Sequence, residues 1–537
     1  MALRFISLIA ILLFANTYGQ EKLIYHDIKT DKEGKIISWY DDEPGKSFNH
    51  VINLVWSFWD TMRIDQNGLP YYMNHQVWNN GFNDNRGIGG DQLQMALSAW
   101  KLLYAYTGNE KIKDNMRFMA DYYLSHSLSP ESCYWPNIPF PYNTILYSGI
   151  YDGDMILGKG YTQPDKAGSF ALELINLYKM FGTKVYLDAA IKIANTLSDN
   201  IKNGDENNSP LPFKVNVYTN QVGYLFKDMN DSTKIGYSSY TTNWAPTLQL
   251  FLELEKLNKG DIEKYKAAFN KILGWMKKYP MKNNKWGPFF EDVPGWSDTQ
   301  INAMTFARFV MEHPELFPDW ASDTKKIIDW VHKELGNKTW EKYGVIAINE
   351  QTYYRVPANS HTARQGADGL LYAKLSGDST YFENSKRQLL WSTYMVDFDG
   401  KNRFPSDDIW LTDGYGDYIR HYLRAMAVNP ELAPSDQDHL LSSTSIIHQI
   451  DYKGNFIKFI WQDPENPLYK KLKIYYRTLD TSGVEYLRLT KKPSHILLEN
   501  KPLKINDENQ GYTWIPMDIG GLLKIKRING KNVSIIE

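Results

Sequence analysis

A single cysteine, Cys133, occurs in 537 residues, so no internal disulfide can hold this chain together. It also lacks a charge excess: the formal net charge is -2 and Lys, Arg, Asp and Glu are interspersed, which leaves no basic field for nucleic acid. The apolar run from Phe5 to Phe14 is too short to span a bilayer. There is no glycine-rich loop ending in Lys-Ser or Lys-Thr, no His-Glu-x-x-His and no Gly-x-Ser-x-Gly, which argues against P-loop nucleotide hydrolysis, zinc proteolysis and the esterase elbow. A complete calcium loop is missing too, and no metal or organic cofactor is expected.

What the chain does have begins at its N-terminus. Arg4 precedes the apolar run, and Thr17 and Gly19 occupy the -3 and -1 positions of a cut before Gln20, the pattern of a secretory signal peptide over residues 1–19. No cysteine lies near the cut, so the expectation is an exported, periplasmic or secreted protein without a lipid or membrane anchor. Aromatic residues make up 14% of the chain, with 37 Tyr and 17 Trp. They can stack on a ring-shaped ligand or fill gaps between helices.

The helical part is repetitive. Five joints carry one helix through a short turn into the next: Leu103 to Gly108, Leu174 to Gly182, Leu250 to Gly260, Thr305 to Val310 with Pro314 and Pro318 beyond it, and Leu370 to Gly377. Leu93, Leu97, Trp100 and Tyr104 form an apolar stripe after Asp91, a plausible N-cap, and Ile112, Met116, Met119 and Tyr123 repeat it in the partner helix. A helix near Val51 to Met62 and another near Asp413 to Met426 can close on each other as a sixth hairpin. Short turns and long return loops place the loops at one end of the ring, where a cleft would open.

After about Pro434 the pattern changes to short β-branched and aromatic runs. These are Ile446 to Ile450, Phe456 to Trp461, Leu472 to Thr478, Glu485 to Leu489, Leu522 to Ile528 and Val533 to Ile536. The expected architecture is mostly α with a C-terminal β domain: an (α/α)6 toroid over residues 20–433, then a small antiparallel β-sandwich over 434–537 that is read as structural, with carbohydrate binding as the lesser alternative.

Six hairpins, a signal peptide, loops rich in Trp and Tyr and a terminal β domain together resemble the six-hairpin glycosidase-like superfamily of glycoside hydrolases and polysaccharide lyases. Gly87 to Gln92, Tyr151 to Asp154 and Asp408 to Tyr415 further resemble exported proteins of algal, ulvan-like polysaccharide degradation, among them dehydratases of uronic-acid-terminated oligosaccharides. That resemblance implies a carbohydrate substrate and, at its finest, a carbon-oxygen lyase.

Candidate chemistry lies at the helix entrances. In Asn359-Ser-His-Thr-Ala-Arg364, His361 and Arg364 are three apart and share a helix face. An imidazole can serve as base near neutral pH, and a guanidinium can clamp a carboxylate. The bland alternative pairs Arg364 with Asp368. In Trp410-Leu-Thr-Asp-Gly-Tyr-Gly-Asp-Tyr-Ile-Arg-His421, Tyr415 or Tyr418 could move a proton, while Asp413 could cap the helix and Asp417 could pair with His421. Asp152, Asp154 and Asp298 in earlier loops are the carboxylates that a hydrolase would need. Trp244, Trp296 and Trp410 are expected to line the pocket, with Asn359, Arg355 and Lys159 helping Arg364 to bind substrate.

Two enzymatic readings follow, with glycan binding alone as the third. In the favoured one, Arg364 neutralises the carboxylate of an anionic, uronic-acid-containing oligosaccharide, His361 or a tyrosine removes the C5 proton, and Tyr415 or another acid protonates the oxygen leaving C4. The product is a 4,5-unsaturated uronic acid, formed by a dehydratase if water leaves and by a lyase if a sugar leaves. In the alternative, Asp152 and Asp298 hydrolyse a glycosidic bond.

Overall fold

The computed structural model describes residues 24, 26–62, 64–73, 90–145, 148–227, 235–290, 296–402, 415–452, 471–507 and 509–537, with the backbone alone at 90–92, 225–227, 235 and 415. The expected signal peptide, Trp410, Asp413 and the strand at Phe456 to Trp461 lie outside these residues.

Twelve helices of ten residues or more occur among the described residues, and they make six hairpins. In chain order they are α1 Pro44–Asp60, α2 Gly90–Thr107, α3 Glu110–Ser127, α4 Pro164–Phe181, α5 Lys184–Asn200 and α6 Ala245–Leu257. There follow α7 Ile262–Lys278, α8 Gln300–Glu312, α9 Trp320–Leu335, α10 Asn359–Ser376, α11 Phe382–Thr393 and α12 Ile419–Val428. The even-numbered helices pack side by side in sequence, and α12 closes on α2, so the inner wall is a complete ring. Odd-numbered helices such as α7 and α9 bury one stripe and expose charges on the other side, whereas α4 and α10 are buried over most of their length. The first helix starts at Pro44, seven residues before the apolar stripe predicts, because proline is well suited to an opening helical turn. At the other end, Tyr415–Tyr418 form a 3-10 turn that leads into α12.

Two glycines show how closely the helices are joined. Gly108 ends α2 at φ +68, and a Cβ there would lie 3.1 Å from both the Ile450 carbonyl and the Tyr452 ring of the β domain. Gly168 lets α4 approach α6 so closely that a Cβ would sit 2.0 Å from Thr247 Oγ1.

The β domain is a sandwich of two five-stranded sheets. Its strands are β1 His439–Ser443, β2 Ile447–Asp451, β3 Leu472–Thr478, β4 Gly483–Leu489, β5 His495–Leu498, β6 Lys501–Pro502, β7 Lys504–Ile505, β8 Gly511–Pro516, β9 Gly521–Arg527 and β10 Asn532–Ile536. One sheet runs β2-β3-β10-β5-β6 and the other β7-β8-β9-β4-β1, antiparallel throughout except for β7 against β8. Alternate residues point inward, among them Ile474, Tyr476, Leu487, Leu523, Ile525, Val533 and Ile535. One ion pair is buried with them: Arg527 donates to both oxygens of Glu485, at 2.8 and 2.6 Å, and Tyr476 donates to the same carboxylate at 3.3 Å.

The sandwich sits on the ring at the C-terminal ends of the inner helices. Tyr452 donates to the Ala105 carbonyl at 2.6 Å, Lys113 to the His448 carbonyl at 3.2 Å, and His439 to the Tyr106 carbonyl at 2.8 Å while stacking on the Tyr106 ring. The described parts of the long return loops gather at the opposite end, with short two-stranded ribbons such as Tyr161–Thr162 against Val215–Asn216. No described helix is long and apolar enough to cross a membrane.

Candidate functional site

Six inner helices around one axis leave a cavity of about 1040 Å³, lined from Gln94, Ile301, Arg364 and Arg420 near the loop end to Lys256, Leu375 and Val428 near the sandwich. Among its lining residues cations outnumber acids, eight to five, in a chain whose net charge is -2. Charged residues on buried helix faces need partners, so the hydrogen bonds of these groups reveal which are committed to the fold.

Arg308 of α8 is committed: it donates to Glu312 at 2.7 Å and to Asp368 of α10 at 2.8 Å. Arg420 of α12 is held by Asp417 at 2.8 Å, by the Met95 carbonyl and by Ser98. Arg364 differs. Its side chain donates only to the neutral amide oxygen of Gln300, at 2.8 Å, and no carboxylate lies within ion-pair distance among the described residues. Arg424, half-buried one turn beyond Arg420, makes no hydrogen bond or ion pair to any described residue. Burial lowers the Arg364 and Arg424 guanidinium pKa values to about 9, and the nearby Arg420 adds to both shifts.

Both helix-pair alternatives considered for these segments are overturned. Arg364 does not pair with Asp368, which is taken by Arg308, and Asp417 pairs with Arg420 rather than with His421. His421 is fully buried with neither ring nitrogen bonded. His361, one turn before Arg364, is 5% exposed; its Nδ1 meets Ser360 Oγ at 3.1 Å, its Nε2 has no described partner, and its ring packs on Phe290. Burial first, and then the neighbouring arginines, hold both imidazoles well below the usual histidine range, so both are neutral at pH 7.

The other sequence candidates separate. Asp298 accepts from Trp286 N at 2.7 Å, Gly287 N at 2.8 Å and Trp296 Nε1 at 3.0 Å, which makes it the pin of its loop and not a free carboxylate. Asp152 is likewise occupied by Thr144 N and Oγ1, with Lys159 at 3.6 Å, and neither Asp152 nor Lys159 lines the cavity. Asp154 is buried against Lys214 and Gln163. Trp244 is a core residue with its indole nitrogen on the Thr241 carbonyl. Trp296 keeps 38% exposure beside Tyr240, away from the cavity lining. Arg355 is exposed and donates to the Glu334 carbonyl, while Asn359 is buried on Asn402. Tyr418 is buried beside Tyr422 with its hydroxyl unpartnered. The side chain of Tyr415 lies outside the described residues, as does that of Asp91.

Of the candidates, then, Arg364 lines the cavity and His361 lies one turn away on the same helix. Sequence reasoning did not single out Arg308 or Arg424, and it named Asp368 only as a partner for Arg364. A signal was available: Arg308 with Glu312 and Arg420 with Arg424 are charged residues at i,i+4 in helices that are buried over most of their length.

No protein-family model matches the chain, and no curated protein matches it. Solved structures do. The chain is similar to a sugar epimerase from a ruminal bacterium, at 14% identity over 72% of this chain and 98% of that one, with a TM-score of 0.52. It is similar to the cellobiose 2-epimerase of Spirochaeta thermophila, at 11% identity over 72% and 96%, also with a TM-score of 0.52. The cellobiose 2-epimerase of Bacillus thermoamylovorans gives 14% identity over 72% and 99%, with a TM-score of 0.51. At such identities the likeness is one of fold, and the fold is the expected six-hairpin toroid.

Proposed function

We propose that this chain is a carbohydrate-active enzyme whose axial cavity binds a uronic-acid-containing oligosaccharide and removes the proton next to its carboxylate. The observation that carries this reading is Arg364: a buried guanidinium facing the cavity, held by an amide and lacking a carboxylate of its own. Asp417 and Asp368 act on Arg364 only from a distance, without a hydrogen bond to it, so its burial is partly compensated, and a substrate carboxylate bound there would offset the rest of that cost.

The reaction follows from the groups around it. Arg364 takes the uronyl carboxylate and stabilises the charge that develops on it as the C5 proton leaves. His361 is neutral, has an unpartnered Nε2 and is the proposed base. Tyr415, whose backbone joins the same end of α12, is the proposed donor to the oxygen leaving C4. Elimination yields a 4,5-unsaturated uronic acid, with water or a sugar as the leaving group. A hydrolase working through Asp152 and Asp298 is disfavoured, because both carboxylates are consumed by loop hydrogen bonds. Proton removal beside a carbonyl group is also the first step of an epimerisation, the activity named for the similar structures. Export from the cytoplasm belongs to the proposal as well.

The test is incubation with uronic-acid oligosaccharides in D2O, followed by ultraviolet absorbance and mass spectrometry. Elimination predicts a conjugated chromophore, with loss of one water or scission without added water. Deuterium uptake at unchanged length and no chromophore would indicate epimerisation. Reducing ends released with water added and no chromophore would overturn the proposal in favour of hydrolysis.

A further inference from the structure

The cavity is longer than one sugar needs. Arg364 and Leu375, eleven residues apart on α10, both line it, so it follows the helix axis for roughly 16 Å. At its loop end the lining residues are buried: Phe289 is 1% exposed, Arg364 3% and Arg420 6%. At its sandwich end Lys256, Lys374, Leu375, Thr444 and Asp480 are exposed, so the cavity reaches the surface beside β1.

Cations without carboxylate partners are spread along this length. Arg364 lies at the inner end, Arg424 further along the wall, and Lys101 and Lys256 toward the mouth; none has an ion pair among the described residues. The remaining cations are engaged: Lys179 with Glu253, Arg308 with Asp368, Arg420 with Asp417, and Lys374 with the Val428 carbonyl. Between them the wall mixes apolar residues, Leu102, Leu257, Phe309, Leu371 and Leu423, which suit the C–H faces of sugar rings, with carboxylates, of which Glu253, Glu312 and Asp368 are ion-paired and Glu173 accepts from Asn176.

We infer that the cavity takes an acidic oligosaccharide lengthwise, its terminal uronyl unit at Arg364 and its further acidic units running past Arg424 toward Lys101 and Lys256 at the sandwich mouth. This rests on the proposed function and adds to it: the enzyme acts at chain ends, and its substrate carries more than one negative charge. β1 is then part of the binding surface as well as part of the sandwich.

Calorimetric titration with galacturonic acid and its unbranched dimer, trimer and tetramer tests this, in the wild-type chain and in a His361→Ala background where turnover is suppressed. Affinity is expected to rise with length and to weaken with salt. In Lys101→Ala and Lys256→Ala the tetramer-to-monomer affinity ratio is expected to drop roughly threefold to fivefold each, the scale of ion pairs near solvent. Thr444→Trp, which narrows the mouth, should lower the same ratio further. Equal affinity for monomer and tetramer, or ratios unchanged in all three variants, would overturn lengthwise binding and leave the Arg364 site standing. Binding of neither monomer nor oligomers would overturn both.

Discussion

A charged side chain in the wall of a helical ring can be neutralised by the fold, as Arg308 is by Glu312 and Asp368, or left for a ligand, which is the role proposed for Arg364 on the neighbouring helix. Arg364→Ala is therefore expected to lose carboxylate recognition in both ground and transition states, raising KM and lowering kcat by about tenfold or more each, with steady-state kinetics as the check. Arg364→Lys keeps the charge but not the fork and should recover only part of this. Burial also controls the histidines. His361 and His421 are depressed well below 6.5, and burial takes His332 and His439 to about 4. A histidine with a lowered folded pKa binds its proton more readily when unfolded, so its contribution is complete above pH 6.5 and is lost as pH falls toward the folded value. Thermal unfolding is thus expected to move down steadily between about pH 6.5 and 4, and His439→Gln should make that slope shallower. That His361 and Arg364 lie together at one helix entrance was legible in the sequence, because an i,i+3 pair keeps its geometry wherever the helix sits. The loop hydrogen bonds of Asp152 and Asp298 were not legible, for the opposite reason. Which atoms a loop carboxylate accepts from is decided by backbone N–H groups that spacing does not place.

At the level of elements, the repeat was readable because five of the hairpins turn within two to seven residues, and glycines such as Gly182 and Gly377 adopt the left-handed stop that the pattern implies. The distinction between inner and outer helices was not read, although outer helices such as α7 and α9 carry a sharper amphipathic stripe than inner helices such as α2 and α10. The strand His439–Ser443 was missed as well, since His-Leu-Leu-Ser-Ser has no β-branched residue and neither alternates cleanly nor carries a turn signal. Packing at Gly168 tests the ring directly. Gly168→Ala should destabilise the chain by about 1–3 kcal/mol through overpacking against Thr247, and Thr247→Ala in the same chain should recover part of the loss, as read by denaturant unfolding. In the sandwich, Arg527→Ala leaves the Glu485 carboxylate buried and unpaired and should cost about 3–5 kcal/mol, whereas replacing both members with apolar residues should cost far less.

At the level of the whole molecule, the ring and the sandwich share one contiguous buried apolar core, from Trp39 and Phe48 through Leu440 and Ile450 to Val533 and Ile535. Polar bonds cross the same junction: Glu43 accepts from Ser435 N and Oγ, and Tyr104 accepts from Ile450 N at 3.3 Å. Gly108 permits the approach, since any side chain at its φ of +68 would be strained and would meet Tyr452. Removing the sandwich would expose the apolar surface of Tyr104, Tyr106 and the neighbouring helix ends, and would strip β1 from the cavity wall. The two parts are therefore expected to unfold in one transition in calorimetry, and a chain ending at Ala433 is expected to aggregate or to bind a hydrophobic dye. Gly108→Val probes the same junction without truncation. It should lower the unfolding temperature of the ring and the sandwich together, and two separated transitions in that variant would show that the sandwich is an independent unit and that its place in the cavity wall is not held by the fold.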